Sequence, residues 1–151
     1  GDLEFQSPRF PRSQRTPWSA IDAAQLILAV VSGHCIPAIV LLEKGSASTS
    51  SSDKQGESSL EVFDGHNRLQ ALLAFLLGAS RAASLGLSRE FAQFPADFMP
   101  SSEFSQHFDG SESDVEMLSS LGGITFEKMP RKFQRRLESA PIAVAYVHHA
   151  A

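Results

Sequence analysis

The amino-acid sequence predicts an α+β fold, in which short strands and helices are combined in one domain. Three short, mainly apolar runs suit strands, and three other segments carry apolar residues at helical spacing. A hydrophobic content of 42% in 151 residues is enough for one packed core. We therefore expect a single domain over 18–151, preceded by an arm.

Residues that typically begin or end helices predict the boundaries of an N-terminal arm and a first helix. Residues 1–17 contain prolines and no periodicity, which predicts an extended N-terminal arm. Ser19 is a good N-cap, and Asp22 stands three residues later as in a capping box. Gly33 supplies the stop. The apolar face of this helix is predicted to contain Ile21, Ala24, Leu28 and Val31.

Two strands and a loop come next. The run 39–42 is short, apolar and partly β-branched, as in a buried strand, and 60–63 is a second strand, antiparallel to the first. The intervening segment 45–59 is dominated by serine. Because such a composition buries little apolar surface, we predict a mobile loop.

The second half of the chain is predicted to contain two helices and a last strand. Leu69, Leu72, Leu73 and Leu76 mark a helix that is apolar nearly all round and therefore central. Residues 79–124, with a short helix at 82–87 and irregularly spaced phenylalanines, are expected to be a partly ordered insertion. Pro130 suits the first turn of another helix, with Phe133 and Leu137 on its inner face. A strand at 142–146 then ends a domain that we expect to be truncated or unusually short.

Composition narrows the classes of function. Apolar runs are too short for a membrane span, and the single cysteine, Cys35, excludes an internal disulfide framework and a multi-cysteine zinc site. We therefore expect a soluble cytoplasmic protein without a membrane partner or a metal site of its own. The net charge of −4 argues against a protein that binds nucleic acid over its whole surface.

Charge is unevenly distributed, so a local basic face is still possible. An acidic stretch covers 103–116, and five cations follow between positions 128 and 136. Lys128, Arg131 and Arg135 are spaced three to four residues apart and are the candidates for a DNA-binding stripe. The alternative is an ordinary solvated surface.

The turn at 64–68 carries the clearest chemistry. Gly65 allows a tight turn between a strand and a helix, whose first N–H groups and dipole favour an anion such as phosphate. Asp64 has two open interpretations, an N-cap and a catalytic or metal-positioning carboxylate. Arg68 opposes the helix dipole, whereas a charge-assisted bond to phosphate contributes about 1.5–3 kcal/mol, which favours a functional role.

The two residues between Gly65 and Arg68 add donors and acceptors to this turn. His66 can act in proton transfer, although a histidine at a helix start is also found simply as a hydrogen-bonded polar residue. Asn67 offers an amide.

Four segments in the right order resemble one family. The string VFDGHNRLQALLAFLLG is similar to the Asp-Gly-Gln-Gln-Arg-Leu motif and following helix of GmrSD-type restriction endonuclease N-terminal domains, which belong to the ParB/sulfiredoxin superfamily. QRTPW resembles their opening Gln-Arg motif, IPAIVLLE their first strand, and FEKMPRKFQRRLESAPIAVAYV their last helix and strand. The resemblance implies a small mixed sheet with helices packed around it.

The family resemblance also implies a function in defence or DNA processing. Expected ligands are a nucleotide, as an NTP with Mg, and DNA, and a separate nuclease domain is the expected partner, so nuclease activity in this chain alone is not expected. Carried over, Asp64, His66 and Arg68 are candidate catalytic residues. Candidate nucleotide-binding residues are Gln14, Arg15, Gly65, Asn67 and Arg68.

The same motif leaves hydrolysis open, because His66 and Asn67 replace two glutamines of the family pattern. Three functions therefore compete: a nucleotide-binding domain that also hydrolyses NTP or only binds it, a DNA-contacting module, and a degenerate scaffold without nucleotide chemistry.

Overall fold

A computed structural model describes residues 17–44, 59–101 and 112–148. The predicted arm up to Thr16 and the predicted loop up to residue 58 lie outside these residues. Within them the chain is α+β, with five α-helices and a small three-stranded mixed sheet, so the predicted fold class is confirmed. The chain divides into two compact units. We call them the sheet unit, which includes 37–66 and the C-terminal strand, and the helical unit, which covers 17–36 and 67–141.

The sheet unit has its strands in the order β2-β1-β3. Strand β1 (Ile39–Lys44) lies in the centre. Strand β2 (Ser59–Asp64) pairs with it antiparallel, as predicted, with one register shift between Val40 and Leu41. Strand β3 (Val144–His148) pairs with β1 in parallel and in unbroken register. The last strand thus begins two residues later than the sequence pattern indicates.

Burial within the sheet is uneven. Ile39 of β1 and Val62 of β2 are buried, at 3% and 4% exposure, whereas Leu60 and Phe63 on the same strand β2 are exposed. All of β3 is exposed. The strand predicted as buried, β1, is buried only at Ile39, and its residues 40–43 are half-buried. Strand β2, which precedes the Asp64 turn at the edge of the sheet, is buried only at Val62.

In the described residues, the helical unit has five α-helices. Helix α1 spans Ala20–Val31, and Ser19 and Asp22 form the predicted capping box, with Ser19 Oγ accepting from the Asp22 N–H at 3.2 Å. The other four helices are α2 (His66–Leu77, beginning at the last residue of the sheet unit), α3 (Ala79–Ser84), α4 (Glu112–Ser119) and α5 (Arg131–Ser139). Short 3₁₀ turns lie at Arg89–Ala92 and Phe126–Lys128.

The core of the helical unit is built from these helices and the connections between them. The rings of Phe75 and Phe94 meet edge to face, with 5.5 Å between centroids and an angle of 89°. Such aromatic pairs contribute beyond their buried area. Among the described residues, the largest side chains that are fully buried are Phe75, Phe94, Phe133, Ile27, Leu118, Leu121 and Val31.

The segment predicted as a partly ordered insertion contributes directly to this core. Phe91, Phe94 and Phe98 are all buried, and main-chain bonds join their segment to the region before α5. The Phe94 N–H donates to the Ile124 carbonyl at 3.0 Å, and the Gly123 N–H donates to the Phe94 carbonyl at 3.0 Å. Irregular spacing hides this contribution because the three rings lie on a 3₁₀ turn and an extended connection rather than on one helix.

Some residues that the sequence places on buried helix faces are exposed in the structure. Ile21 is 53% exposed although Ala24 and Leu28 on its predicted face are buried. Leu73 and Leu76 are each 37% exposed, so α2 is not buried all round. The helix predicted at 82–87 lies at 79–84 instead, because Gly78 ends α2 and α3 starts at once.

Candidate functional site

The predicted turn is formed at the junction of β2 and α2. Asp64 is the last residue of the strand, His66 is the first residue of the helix, and Gly65 between them has φ of +94°. At this φ an L side chain meets the following carbonyl, so only glycine adopts the conformation without strain. The structure thus requires Gly65 for the backbone geometry that the sequence predicts.

Burial differs along the turn. Gly65 is buried, Asp64 is exposed, and the next three residues, His66, Asn67 and Arg68, are half-buried. Two side-chain nitrogens, His66 Nδ1 and Arg68 Nε, are shielded from solvent. Electrostatic interactions are stronger in such a shielded environment than in bulk water, which favours ion recognition there.

The start of α2 has the electrostatic character that an anion site needs. The helix is 12 residues long, and its first turn contains no acidic residue. The helix dipole therefore leaves partial positive charge at this end, and the guanidinium of Arg68 adds a full one. Chemically, the turn can bind a phosphate through main-chain N–H groups and a fork of side-chain donors.

Asp64 is the last residue of β2, and Gly65 separates it from the first helical residue, His66. An exposed carboxylate at the strand end is accessible to solvent, where it can bind a hydrated cation or exchange a proton. The catalytic or metal-positioning interpretation of Asp64 is compatible with this location.

Other predicted site residues fall elsewhere. Gln14 and Arg15 lie outside the described residues, so the structure does not test their approach to the turn. Trp18, the last residue of the same motif, packs against the core of the helical unit.

The basic residues near α5 have different environments. Lys132 Nζ donates to both carboxylate oxygens of Asp114, at 2.8 and 2.9 Å, and the Arg136 guanidinium lies 5.6 Å from the centroid of the Phe133 ring. Both cations therefore stabilise the helical unit. The three predicted DNA-binding residues are all exposed: Lys128, Arg131 and Arg135.

Asp114 was missed by the sequence interpretation, which assigned it to a solvated acidic stretch. It is 3% exposed and lies on α4 against α5. The only sequence signal is its spacing from Leu118, which follows at i+4 and is buried.

A cavity of about 240 Å³ lies at the other end of α2. It is lined by Phe75, Leu77, Gly78, Thr125, Phe126 and Glu127, among others. Because α2 rises about 1.5 Å per residue, its first turn is some 15 Å away. The cavity is distant from that turn and its lining includes the carboxylate of Glu127, which disfavours phosphate, so this cavity does not extend the candidate anion site.

In the part of the chain that the structure describes, no group of three or more His, Cys, Asp or Glu side chains could hold a metal ion. Among the same residues, no helix is both long and apolar enough to cross a membrane. Comparisons of the chain with protein-family models, with curated proteins and with solved structures found no match.

Proposed function

We propose that this chain is a ParB-like nucleotide-binding domain, and that the phosphates of an NTP bind at the first turn of α2. The observation that carries the proposal is the strand–glycine–helix junction, in which Gly65 has a positive φ and Arg68 follows in a first helical turn free of acidic residues. This combination supplies main-chain N–H donors, a helix dipole and a guanidinium for one anion.

Hydrolysis is the second step of the proposal. Asp64 is exposed beside the turn and is suited to bind Mg²⁺ or to orient a water, while His66 is the candidate for proton transfer. The motif resemblance to GmrSD-type N-terminal domains supports this assignment and extends it to a cytoplasmic defence or DNA-processing system. In that system a separate nuclease domain would cut DNA.

Calorimetric titration with each NTP in the presence of Mg²⁺ tests the proposal directly. Binding should also raise the melting temperature with ligand concentration, because only the folded state binds. If the wild-type chain binds no NTP at millimolar concentration, the nucleotide proposal is wrong. The turn then has only a structural role, as expected for a degenerate scaffold without nucleotide chemistry.

A DNA-contacting role is a second candidate, because the basic residues of α5 differ in their surroundings. Lys132 and Arg136 have partners within the helical unit, whereas Arg131 and Arg135 are exposed four residues apart on the same helix. Residues at this spacing lie on one helix face, so their guanidinium groups can contact adjacent phosphates of a DNA backbone.

A further inference from the structure

The two edges of the sheet differ in how they are protected. Strand β2 carries the acidic residues Glu61 and Asp64, and its ladder with β1 shifts register next to Val40. Charges and irregular register are the usual devices that prevent a sheet edge from pairing with another chain. The β2 edge is therefore protected.

Strand β3 forms the opposite edge and has none of these devices. It pairs with β1 over five consecutive residues without a shift, and the sequence Val-Ala-Tyr-Val-His contains no lysine, acidic residue or proline. The basic side chain in this strand, that of His148, pairs with Glu43 of β1, with 2.7 Å between Nδ1 and Oε2. Among the described residues, β1 is the only strand that pairs with β3.

The direction of the main-chain groups of β3 follows from one hydrogen bond. The Ile39 N–H donates to the Ala143 carbonyl at 3.0 Å. Because main-chain groups alternate along a strand, Ala145 and Val147 also face β1, whereas Val144 and Tyr146 direct their N–H and carbonyl groups away from the sheet. These outward groups are the template for an additional strand.

We propose that β3 is a homodimerisation edge, which pairs antiparallel with β3 of a second copy about a two-fold axis through Tyr146. Pairing joins the two sheets in the order β2-β1-β3-β3-β1-β2. Both edges of the resulting six-stranded sheet are then β2, the protected strand. A second copy closes the assembly in this way, whereas an unrelated peptide would leave its own strand as a new open edge.

The side chains are compatible with this pairing. In the proposed register Tyr146 lies opposite its symmetry mate, and Val144 lies opposite His148, so no two full charges of like sign face each other. Val144, Tyr146 and Val147 are 42%, 59% and 46% exposed, and a paired strand would cover much of this apolar surface.

The first test is the molar mass of the full chain by sedimentation equilibrium across the micromolar range, without nucleotide. We expect a reversible change from monomer to dimer. Tyr146→Lys and, independently, Val144→Lys should move the midpoint to at least about tenfold higher concentration, because two lysines would then face the new interface. Leu60→Lys on the protected β2 edge is the matched control and should leave the midpoint unchanged.

Hydrogen exchange identifies the surface involved. On raising the protein concentration, the amides of Val144 and Tyr146 should become protected, whereas those of Ala145 and Val147, which already face β1, should not change. A chain that stays monomeric throughout, or that associates without protecting Val144 and Tyr146, overturns the proposal. So does a mass that grows beyond the dimer, because a two-fold pair leaves no further β3 edge.

Discussion

Lys132 and Asp114 form a two-point ion pair that joins α5 to α4. Nζ lies 2.8 Å from Oδ1 and 2.9 Å from Oδ2, and the two residues are 18 positions apart in sequence. The partners are unequally buried, since the lysine side chain is 50% exposed and that of the aspartate only 5%. Removing one partner or the other should therefore have different consequences.

Lys132→Met should lower the free energy of unfolding by about 3 kcal/mol, because it removes the ammonium group that faces a buried carboxylate. Asp114→Asn should cost less, about 1–2 kcal/mol, since the half-exposed ammonium is still hydrated. Lys128→Met, at an exposed lysine nearby, is the control and should stay within about 0.5 kcal/mol of the wild type. Urea denaturation at constant pH measures all three. Equal losses for the two lysine variants would contradict a structural role for the pair.

Gly122 should be intolerant of any side chain. A Cβ at this position would lie 2.5 Å from the carbonyl oxygen of Ala96, a main-chain atom that cannot move independently. Gly122→Ala should cost about 1–3 kcal/mol by forcing apart the segments that hold Phe94 and Phe98 in the core. Loss of near-ultraviolet circular dichroism and a lower denaturation midpoint would report this. An unchanged midpoint would show that the two segments separate easily.

The control for Gly122→Ala is Ala96→Ser. Ala96 is exposed, and the substitution leaves its carbonyl in place. If Ala96→Ser changes stability little and Gly122→Ala lowers it strongly, the loss of stability is due to the contact between the new Cβ and the Ala96 carbonyl.

Local signals predicted the regular elements of the fold well. The capping box of Ser19 and Asp22 and the inward positions of Phe133 and Leu137 both depend on near neighbours in sequence. Such interactions are fixed by spacing alone, so a single sequence contains the information.

The features that were missed depend on contacts between distant segments. Phe94 meets Ile124 through the main chain, and Asp114 meets Lys132, and neither pairing has a periodicity that a sequence could show. At the candidate site, the positive φ of Gly65 was predictable because it belongs to a local turn. The approach of any ligand was not, because it depends on residues that are far apart in the chain.

For the DNA candidate, charge reversal at Arg131 and Arg135 together should weaken binding and flatten its salt dependence. Each lost phosphate contact reduces the slope of log K against log salt by about 0.9. Arg81 and Arg89, which are also exposed arginines of the helical unit, provide the control double reversal. Fluorescence anisotropy with a short duplex at several salt concentrations measures the slope. Equal losses in both double variants would indicate a general charge effect rather than a stripe on α5.

If the chain hydrolyses NTP, Asp64→Asn should preserve the fold and the binding of NTP but reduce turnover by about 100-fold or more, as expected for loss of a group that acts on a proton or positions the metal. Asp97→Asn, at another exposed aspartate, should have wild-type turnover. Release of inorganic phosphate at saturating NTP and Mg²⁺ is the measurement. Turnover that is insensitive to Asp64→Asn would assign hydrolysis to another group.

Arg68 decides between nucleotide binding and a purely structural turn. A charge-assisted bond to phosphate contributes about 1.5–3 kcal/mol, so Arg68→Ala should lower NTP affinity about 10- to 150-fold. Arg68→Lys retains a cation but not the planar fork of donors, and should lose part of that affinity. Arg81→Ala, at an exposed arginine of α3, should bind NTP like the wild type.

The stability of each Arg68 variant must be measured alongside its NTP affinity, because the Arg68 side chain is half-buried and its Nε is shielded from solvent. Truncation also removes the packing of the aliphatic stem, which lowers stability whether or not a nucleotide binds. Melting each variant without ligand and then titrating it by calorimetry well below its melting temperature separates the two effects. If Arg68→Ala melts lower but binds NTP as tightly as Arg81→Ala, Arg68 only stabilises the turn and the phosphate is held without it.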